Sequence, residues 1–195
     1  GLVGPQNCAY VNFDAAFGAA DGMPQWATGL AGCNGTGPIR VNGTDLATGG
    51  WPSPRPALAI DAGGTRHVLW NSGTAVYYTR WRAGEASPEA PVLLSNQVNR
   101  FGGDVAIAED TSGVLHAVYR GPDVTADWDL GAIVYLTSSD GGNSWSPYEY
   151  VDPIDLPPGN TNANSDLSLA VDATGIPSIT FWRWNSELWY ARRDG

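Results

Sequence analysis

The sequence predicts an all-β protein of propeller-like blades, and three observations carry that prediction. Three stretches repeat one pattern, the runs inside each repeat alternate apolar and polar residues with a period of two, and the repeat length is that of a four-stranded blade.

The aligned stretches are PALAIDAGGTRHVLW from Pro56, DVAIAEDTSGVLHAVY from Asp104 and DLSLAVDATGIPSITFW from Asp166. Each holds an alternating apolar run, an acidic residue, a turn ending in Gly64, Gly113 or Gly175, and a second alternating run. His67, His116 and Ser178 fall three residues beyond that glycine. Their equivalence makes strand packing the expected role of both histidines, since metal ligation needs convergent partners that the spacing does not supply. A third run follows in every unit: TAVYYTRW from Thr74, GAIVYLTSS from Gly131 and SELWYARR from Ser186. Enrichment in Val, Ile, Tyr and Trp marks these runs as strands. A fourth, PVLLS from Pro91 and YEYV from Tyr148, is present in the first two units only.

The closing glycines lie 49 and then 62 residues apart. Propeller repeats run about 40–50 residues. Two insertions explain the longer interval: GPDVTADWDL between the second and third strands, and DPIDLPPGNTNANS before the third unit. Residues 51–195 are thus read as blade repeats and residues 1–50 as an N-terminal extension. Within the extension, CAYVNFDAAF reads equally as a strand or a short helix.

The stretch SSDGGNSWSP, Ser138 to Pro147, links the third and fourth strands of the second unit. Its Ser138, Asp140, Gly142, Ser144 and Trp145 match the pattern SxDxGxSW. The second unit in this respect resembles the Asp-box, or bacterial neuraminidase repeat, proteins, which include sialidases, some xyloglucan hydrolases and non-catalytic receptor and assembly-factor propellers. The resemblance implies a propeller fold and a structural role for the box, away from any active site. The residue chemistry agrees: Asp140 can accept backbone N–H bonds within its own loop, Gly142 can take a positive φ, and Trp145 can fold back on the hairpin. The first unit has RAGEASPEA in place of the box, and the third stops before reaching it.

Three blades do not close a ring. The third lacks its fourth strand, while PIRVN, Pro38 to Asn42, stands ahead of the first blade like a strand without one. The expectation is a strand exchange in which residues 38–42 complete a last blade, within one chain if residues 1–37 form an irregular blade, or between copies. A longer parent protein is the further alternative, and an unpaired edge on the third blade would otherwise be an aggregation liability.

The 195 residues, 43% of them hydrophobic, suffice for a real core. Twenty acidic residues oppose ten basic ones, all of them arginine, for a net charge of -10, which disfavours nucleic acid as a partner. No run is long and apolar enough to span a membrane as a helix. Cys8 and Cys33, and the NGT sequons at Asn34 and Asn42, favour an extracellular or cell-surface location. A Cys8–Cys33 disulfide would contribute roughly 3 kcal/mol in the chain-entropy model; the alternative is two unrelated thiols.

Candidate sites are few. A sialidase-like site needs an arginine cluster for a substrate carboxylate, a Tyr nucleophile with a Glu partner, and an Asp acid. The family's Arg-Ile-Pro motif is absent, and PIRV around Arg40 only echoes it. Arg80, Arg82 and Arg183 are expected to line the strands' solvent face or to pair with acids. Asn160, Asn162, Asn164 and Asp166 alternate in a spacing that offers oxygen ligands to Ca²⁺, but the set is poor in charge even with Asp152 and Asp155 upstream, and a turn-rich entry to the third blade is the simpler reading. No other cofactor is expected. Trp128, flanked by Asp127 and Asp129 in the long insertion, and Trp182 and Trp184 in FWRW form a possible glycan platform. The expected function is a non-catalytic module for protein interaction or self-assembly, such as a subunit of a surface structure or filament. The alternatives are a sialidase-like glycoside hydrolase and a lectin.

Overall fold

The computed structural model describes residues 10–11, 38–41, 44–48, 56–71, 75–95, 104–122, 131–152, 165–183 and 187–194, and all of its described elements are strands. Among the described residues no helix is long and apolar enough to cross a membrane.

Three antiparallel sheets follow the three repeats. The first blade runs β4 (Ala57–Ile60), β5 (Arg66–Asn71), β6 (Val76–Trp81) and β7 (Val92–Ser95) in sequence order. The second runs β8 (Val105–Glu109), β9 (Leu115–Pro122), β10 (Gly131–Ser138) and β11 (Glu149–Asp152). The third has β12 (Ser165–Val171), β13 (Pro177–Arg183) and β14 (Glu187–Arg192), with no fourth strand among the described residues. The first strands β4, β8 and β12 lie beside one another, as strands nearest a propeller axis do.

The register makes the blades superimposable residue by residue. Leu69 pairs with Tyr78, Val118 with Tyr135, and Thr180 with Tyr190. Two residues further along, Asn71 pairs with Val76, Arg120 with Ile133, and Trp182 with Leu188. Period-two alternation then sends alternate residues of each blade to opposite neighbours. Leu69, Val76 and Tyr78 of the first blade bury against Leu115, Ala117, Tyr119, Val134 and Leu136 of the second. The second blade's other face, Val118, Ile133 and Tyr135, buries against Ile179 and Phe181 of the third.

The N-terminal segment departs from the expectation. Pro38–Val41 is a strand, β2, but it pairs in parallel with β1 (Tyr10–Val11) and antiparallel with β3 (Thr44–Thr48). It sits between them in a separate three-stranded sheet and is not paired with β14. Thr44–Thr48 was not expected as a strand, and within CAYVNFDAAF the pair Tyr10–Val11 is extended.

Candidate functional site

One polar network of the described residues runs from the turns between first and second strands into the blades. It starts from three near-identical turns between first and second strands. Asp61, Asp110 and Asp172 each accept an N–H from the closing glycine through the backbone carbonyl, at 3.0, 3.1 and 3.0 Å. Gly64, Gly113 and Gly175 stand at φ 82°, 81° and 82°, a left-handed geometry that favours glycine. The side-chain carboxylate then caps the turn, Asp110 for example accepting from Ser112 N and Val114 N at 2.8 and 2.9 Å.

In two blades this carboxylate starts a chain into the core. Asp61 Oδ2 lies 3.4 Å from His67 Nε2, and His67 Nδ1 lies 2.7 Å from the Tyr78 hydroxyl. Asp110, His116 and Tyr135 repeat the arrangement at 3.4 and 2.7 Å. The third blade substitutes Ser178, which meets the Tyr190 hydroxyl at 3.1 Å. Burial lowers the pKa of His67 and raises those of Tyr78 and Tyr135, so His67 is neutral at pH 7 and both phenols are protonated. Such tyrosines are poor nucleophiles as they stand. Burial pushes the Asp61 carboxyl up, but hydrogen bonds from Thr65 and His67 more than offset it and hold it low.

The SxDxGxSW loop covers the first of these tyrosines. Within the loop, Asp140 Oδ1 accepts from Ser138 Oγ at 2.8 Å and Ser144 N at 2.9 Å, and Asp140 Oδ2 accepts from Ser144 Oγ at 2.5 Å. Those bonds, Ser144 foremost, hold the exposed Asp140 carboxyl down at about 2. Ser138 Oγ accepts from Gly142 N at 2.8 Å. The loop then reaches across to the preceding blade. Arg80 Nη1 donates to the Gly141 carbonyl at 2.5 Å and Arg80 Nη2 to Asn143 Oδ1 at 2.7 Å, while Arg80 Nε pairs with Glu89 at 2.9 Å. The Trp145 ring stands edge-on to Tyr78, centroids 5.1 Å apart. Gly142, at φ 87°, lies so close over Tyr78 that a Cβ there would overlap the phenol. We call this surface, Tyr78 with Arg80, a seat.

Several expectations change here. The box loop joins two blades as well as closing its own hairpin, and Trp145 packs on the neighbouring blade's Tyr78. Arg80 and Arg82 both pair with an acid, Glu89, at 2.9 Å, which is one of the two expected roles, but Arg80 is buried because the loop lies over it, whereas Arg82 is half exposed. His67 and His116 are buried in the strands and also carry the acid–tyrosine link. Asn143 and Tyr78 were missed. The recurrence of an acid before each turn and of Tyr78, Tyr135 and Tyr190 in each third strand was the available signal.

The remaining candidates are scattered. The Asp166 backbone N–H donates to the Asp104 carboxylate, and among the described residues no group of three His, Cys, Asp or Glu converges as a metal site. Trp182 is exposed on the third blade. Arg120, Trp182's counterpart in the second blade, is buried with its Nε unpartnered, and burial lowers its pKa to about 10. Cys8, Cys33, Asn34, Asn42, Trp128, Asp127, Asp129, Asn160, Asn162, Asn164, Trp184 and the Arg40 and Arg183 side chains lie outside the described residues.

The third blade leaves its counterpart face open. Leu188, Tyr190 and Trp182 are 68%, 62% and 42% exposed. Their equivalents in the second blade, Ile133, Tyr135 and Arg120, are 0%, 3% and 7% exposed, and in the first blade Val76, Tyr78 and Asn71 are 0%, 1% and 1%. Each of the first two faces is buried by the blade that follows.

No protein-family model and no curated protein matches the chain. Among solved structures it is similar to a mutant of the NanB sialidase from Streptococcus pneumoniae, at 11% identity and a TM-score of 0.52, over 76% of this chain and 23% of that one. It is similar to a Hadza microbial sialidase at 13% identity and a TM-score of 0.49, over 72% of this chain and 31% of that one. A fucose lectin from Kordia zhangzhouensis, in complex with methyl-fucoside, matches at 13% identity and a TM-score of 0.42, over 72% of this chain and 93% of that one. The chain spans less than a third of the length of either sialidase. At such identities the likeness is one of fold: the stacked antiparallel sheets are sialidase-like and propeller-like.

Proposed function

We propose that the chain is a non-catalytic, propeller-type interaction module that associates with further protein through the open face of its third blade. One observation carries the reading: positions buried in both preceding blades are exposed in the third. Burying an apolar side chain is worth about 1.5–3 kcal/mol, and Leu188, Tyr190 and Trp182 together form a patch of the kind that marks interaction sites. The face carries few charges, so a second copy can approach despite a net charge of -10. An extracellular setting belongs to the same proposal, supported by the cysteine pair and the sequons.

Sedimentation equilibrium tests it. The wild-type mass is expected to rise with protein concentration, and Leu188→Asp, at an exposed position that the fold does not need, is expected to hold the chain at monomer mass. A monomer at every concentration overturns self-association.

A second reading is favoured by the aromatic character of the same face. Trp182 and Tyr190 present rings beside the Ser178 and Thr180 hydroxyls, a combination that stacks on and hydrogen-bonds a sugar. Glycan-array binding lost in Trp182→Ala, with the mass unchanged, would replace the first reading. Hydrolysis of a fluorogenic sialoside would displace both in favour of a sialidase-like enzyme.

A further inference from the structure

The loop on the first blade contains a chemically reactive pair, Asp140–Gly141, and the fold requires both of its members. Asp140 supplies the carboxylate that Ser138 and Ser144 bond. Gly141 stands at φ 68°, in the left-handed region that favours glycine. An aspartate followed by glycine is also the pair in which a main-chain nitrogen most readily attacks the preceding side-chain carboxyl, because no Cβ shields that nitrogen. Asp140 is exposed, so water reaches it.

The folded loop pins both sides of the reacting pair. Both carboxylate oxygens of Asp140 accept bonds, Oδ1 at 2.8 and 2.9 Å and Oδ2 at 2.5 Å. The Asp140 carbonyl accepts from Asn143 Nδ2 at 2.6 Å, and Asn143 Oδ1 in turn accepts from Arg80 Nη2 at 2.7 Å. The Gly141 carbonyl accepts from Arg80 Nη1 at 2.5 Å and from the Tyr78 hydroxyl at 3.4 Å. One arginine of the preceding blade therefore holds the peptide on both sides of the Gly141 nitrogen. The bonds from Ser144 foremost hold the Asp140 carboxyl at about 2, so the acid form, which gives up its hydroxyl as water, is scarce at pH 7.

We propose that Asp140–Gly141 is a site of spontaneous isoaspartate formation that the contact with the preceding blade holds closed. When the loop leaves Arg80, the Gly141 nitrogen attacks Asp140 Cγ. The N–Cγ bond forms, the amide proton and a carboxyl hydroxyl leave together as water, and a succinimide results. Solvent water then opens the ring. Attack at Cγ restores Asp140; attack at the main-chain carbonyl leaves the chain running through the side chain, one methylene longer. Gly141 and Gly142 then no longer fall over Arg80 and Tyr78, and the joint between the blades is lost.

Peptide mapping of the full chain after incubation at neutral pH reads isoaspartate at Asp140 itself, apart from any at Asp21–Gly22 or at the Asn-Gly pairs of Asn34 and Asn42. Only the opened fraction of the folded loop reacts, so the chain is expected to convert at least about tenfold more slowly than a synthetic peptide copying Ser138–Pro147. Arg80→Ala leaves Asp140 and both serines in place and is expected to raise the rate in the chain by at least about fivefold. Gly84→Ala strains the backbone at φ 84° with nothing within 4 Å of its ideal Cβ, and so lowers stability without touching the loop. It is expected to keep the rate within about twofold of the parent. The isolated isoaspartyl chain should unfold at lower urea concentration than the parent. Equal rates in peptide and folded chain, or no isoaspartate at this position in either, overturn the proposal. So does equal acceleration by Arg80→Ala and Gly84→Ala, which would make the opening global rather than a release from the preceding blade.

Discussion

Replacing Gly142 by alanine isolates the contact on which the blade-to-blade reading rests. Two costs are expected. The first is conformational: at φ 87° an L side chain is disfavoured by roughly 1–2 kcal/mol. The second is steric: the new Cβ would overlap the Tyr78 hydroxyl and ring, and forcing atoms into a packed site costs about 1–3 kcal/mol. The sum is about 2–5 kcal/mol. Gly84 supplies the control, since it stands at φ 84° with nothing within 4 Å of its ideal Cβ. Gly84→Ala should therefore show the conformational cost alone, about 1–2 kcal/mol. Equilibrium urea unfolding measures both, as shifts of the midpoint at constant slope; in thermal unfolding each kcal/mol is roughly 2–4 °C for a chain of this size. Tyr78→Phe removes the oxygen that the Cβ approaches most closely, so Gly142→Ala should cost less in that background, with a coupling of about 0.5–3 kcal/mol. If Gly142→Ala costs no more than Gly84→Ala, the loop is not seated on Tyr78 and the blade-to-blade role of the box fails.

Two further predictions come from the same crevice. Arg80→Ala should destabilise by about 1–3 kcal/mol, because it leaves the Gly141 carbonyl and the Asn143 side chain without their donor while Glu89 keeps Arg82; Arg82→Ala, at a half-exposed ion pair, should change stability by less than about 1 kcal/mol, again by urea unfolding. Acid should weaken the fold in two stages. Hydrogen bonds hold Asp140 and Asp172 at about 2, below the ordinary 3.8, so their contribution is complete above about pH 4 and is lost as pH falls toward 2. His67 lies below its ordinary 6.5, so the unfolded chain takes up that proton first, and a shallower loss begins as pH falls under 6.5. Midpoints measured across this range should show both stages; Asp140→Asn should flatten the lower and His67→Gln the upper.

The legible parts of this protein were the local ones. The period-two runs and the recurring Asp-to-Gly turns predict the strands of all three blades, including the fourth strands near Val92 and Glu149. The Asp140 loop was legible for the same reason: its hydrogen bonds close within seven residues, Ser138 to Ser144. Strand backbone pairing and turn capping depend on neighbours in sequence, and an alternating run or a turn glycine states its requirement in place.

What the tertiary structure alone decided is which blade face meets which, because that contact joins residues about sixty positions apart. Arg80 reads in sequence as one more strand arginine, yet it is buried because Gly141 and Asn143 lie over it. Tyr78 and Tyr190 hold the same repeat position; one is buried by the next blade and the other is open. Pro38–Val41 reads as a strand in need of a sheet, and pairing in space assigned it to Tyr10–Val11 and Thr44–Thr48 rather than to β14. Propensity and alternation determine that a strand forms and which residues share its face. They carry no term for the partner across the crevice, which is why the sequence predicts blades and only the folded chain shows that Tyr78 and Tyr135 are buried while Tyr190 is open.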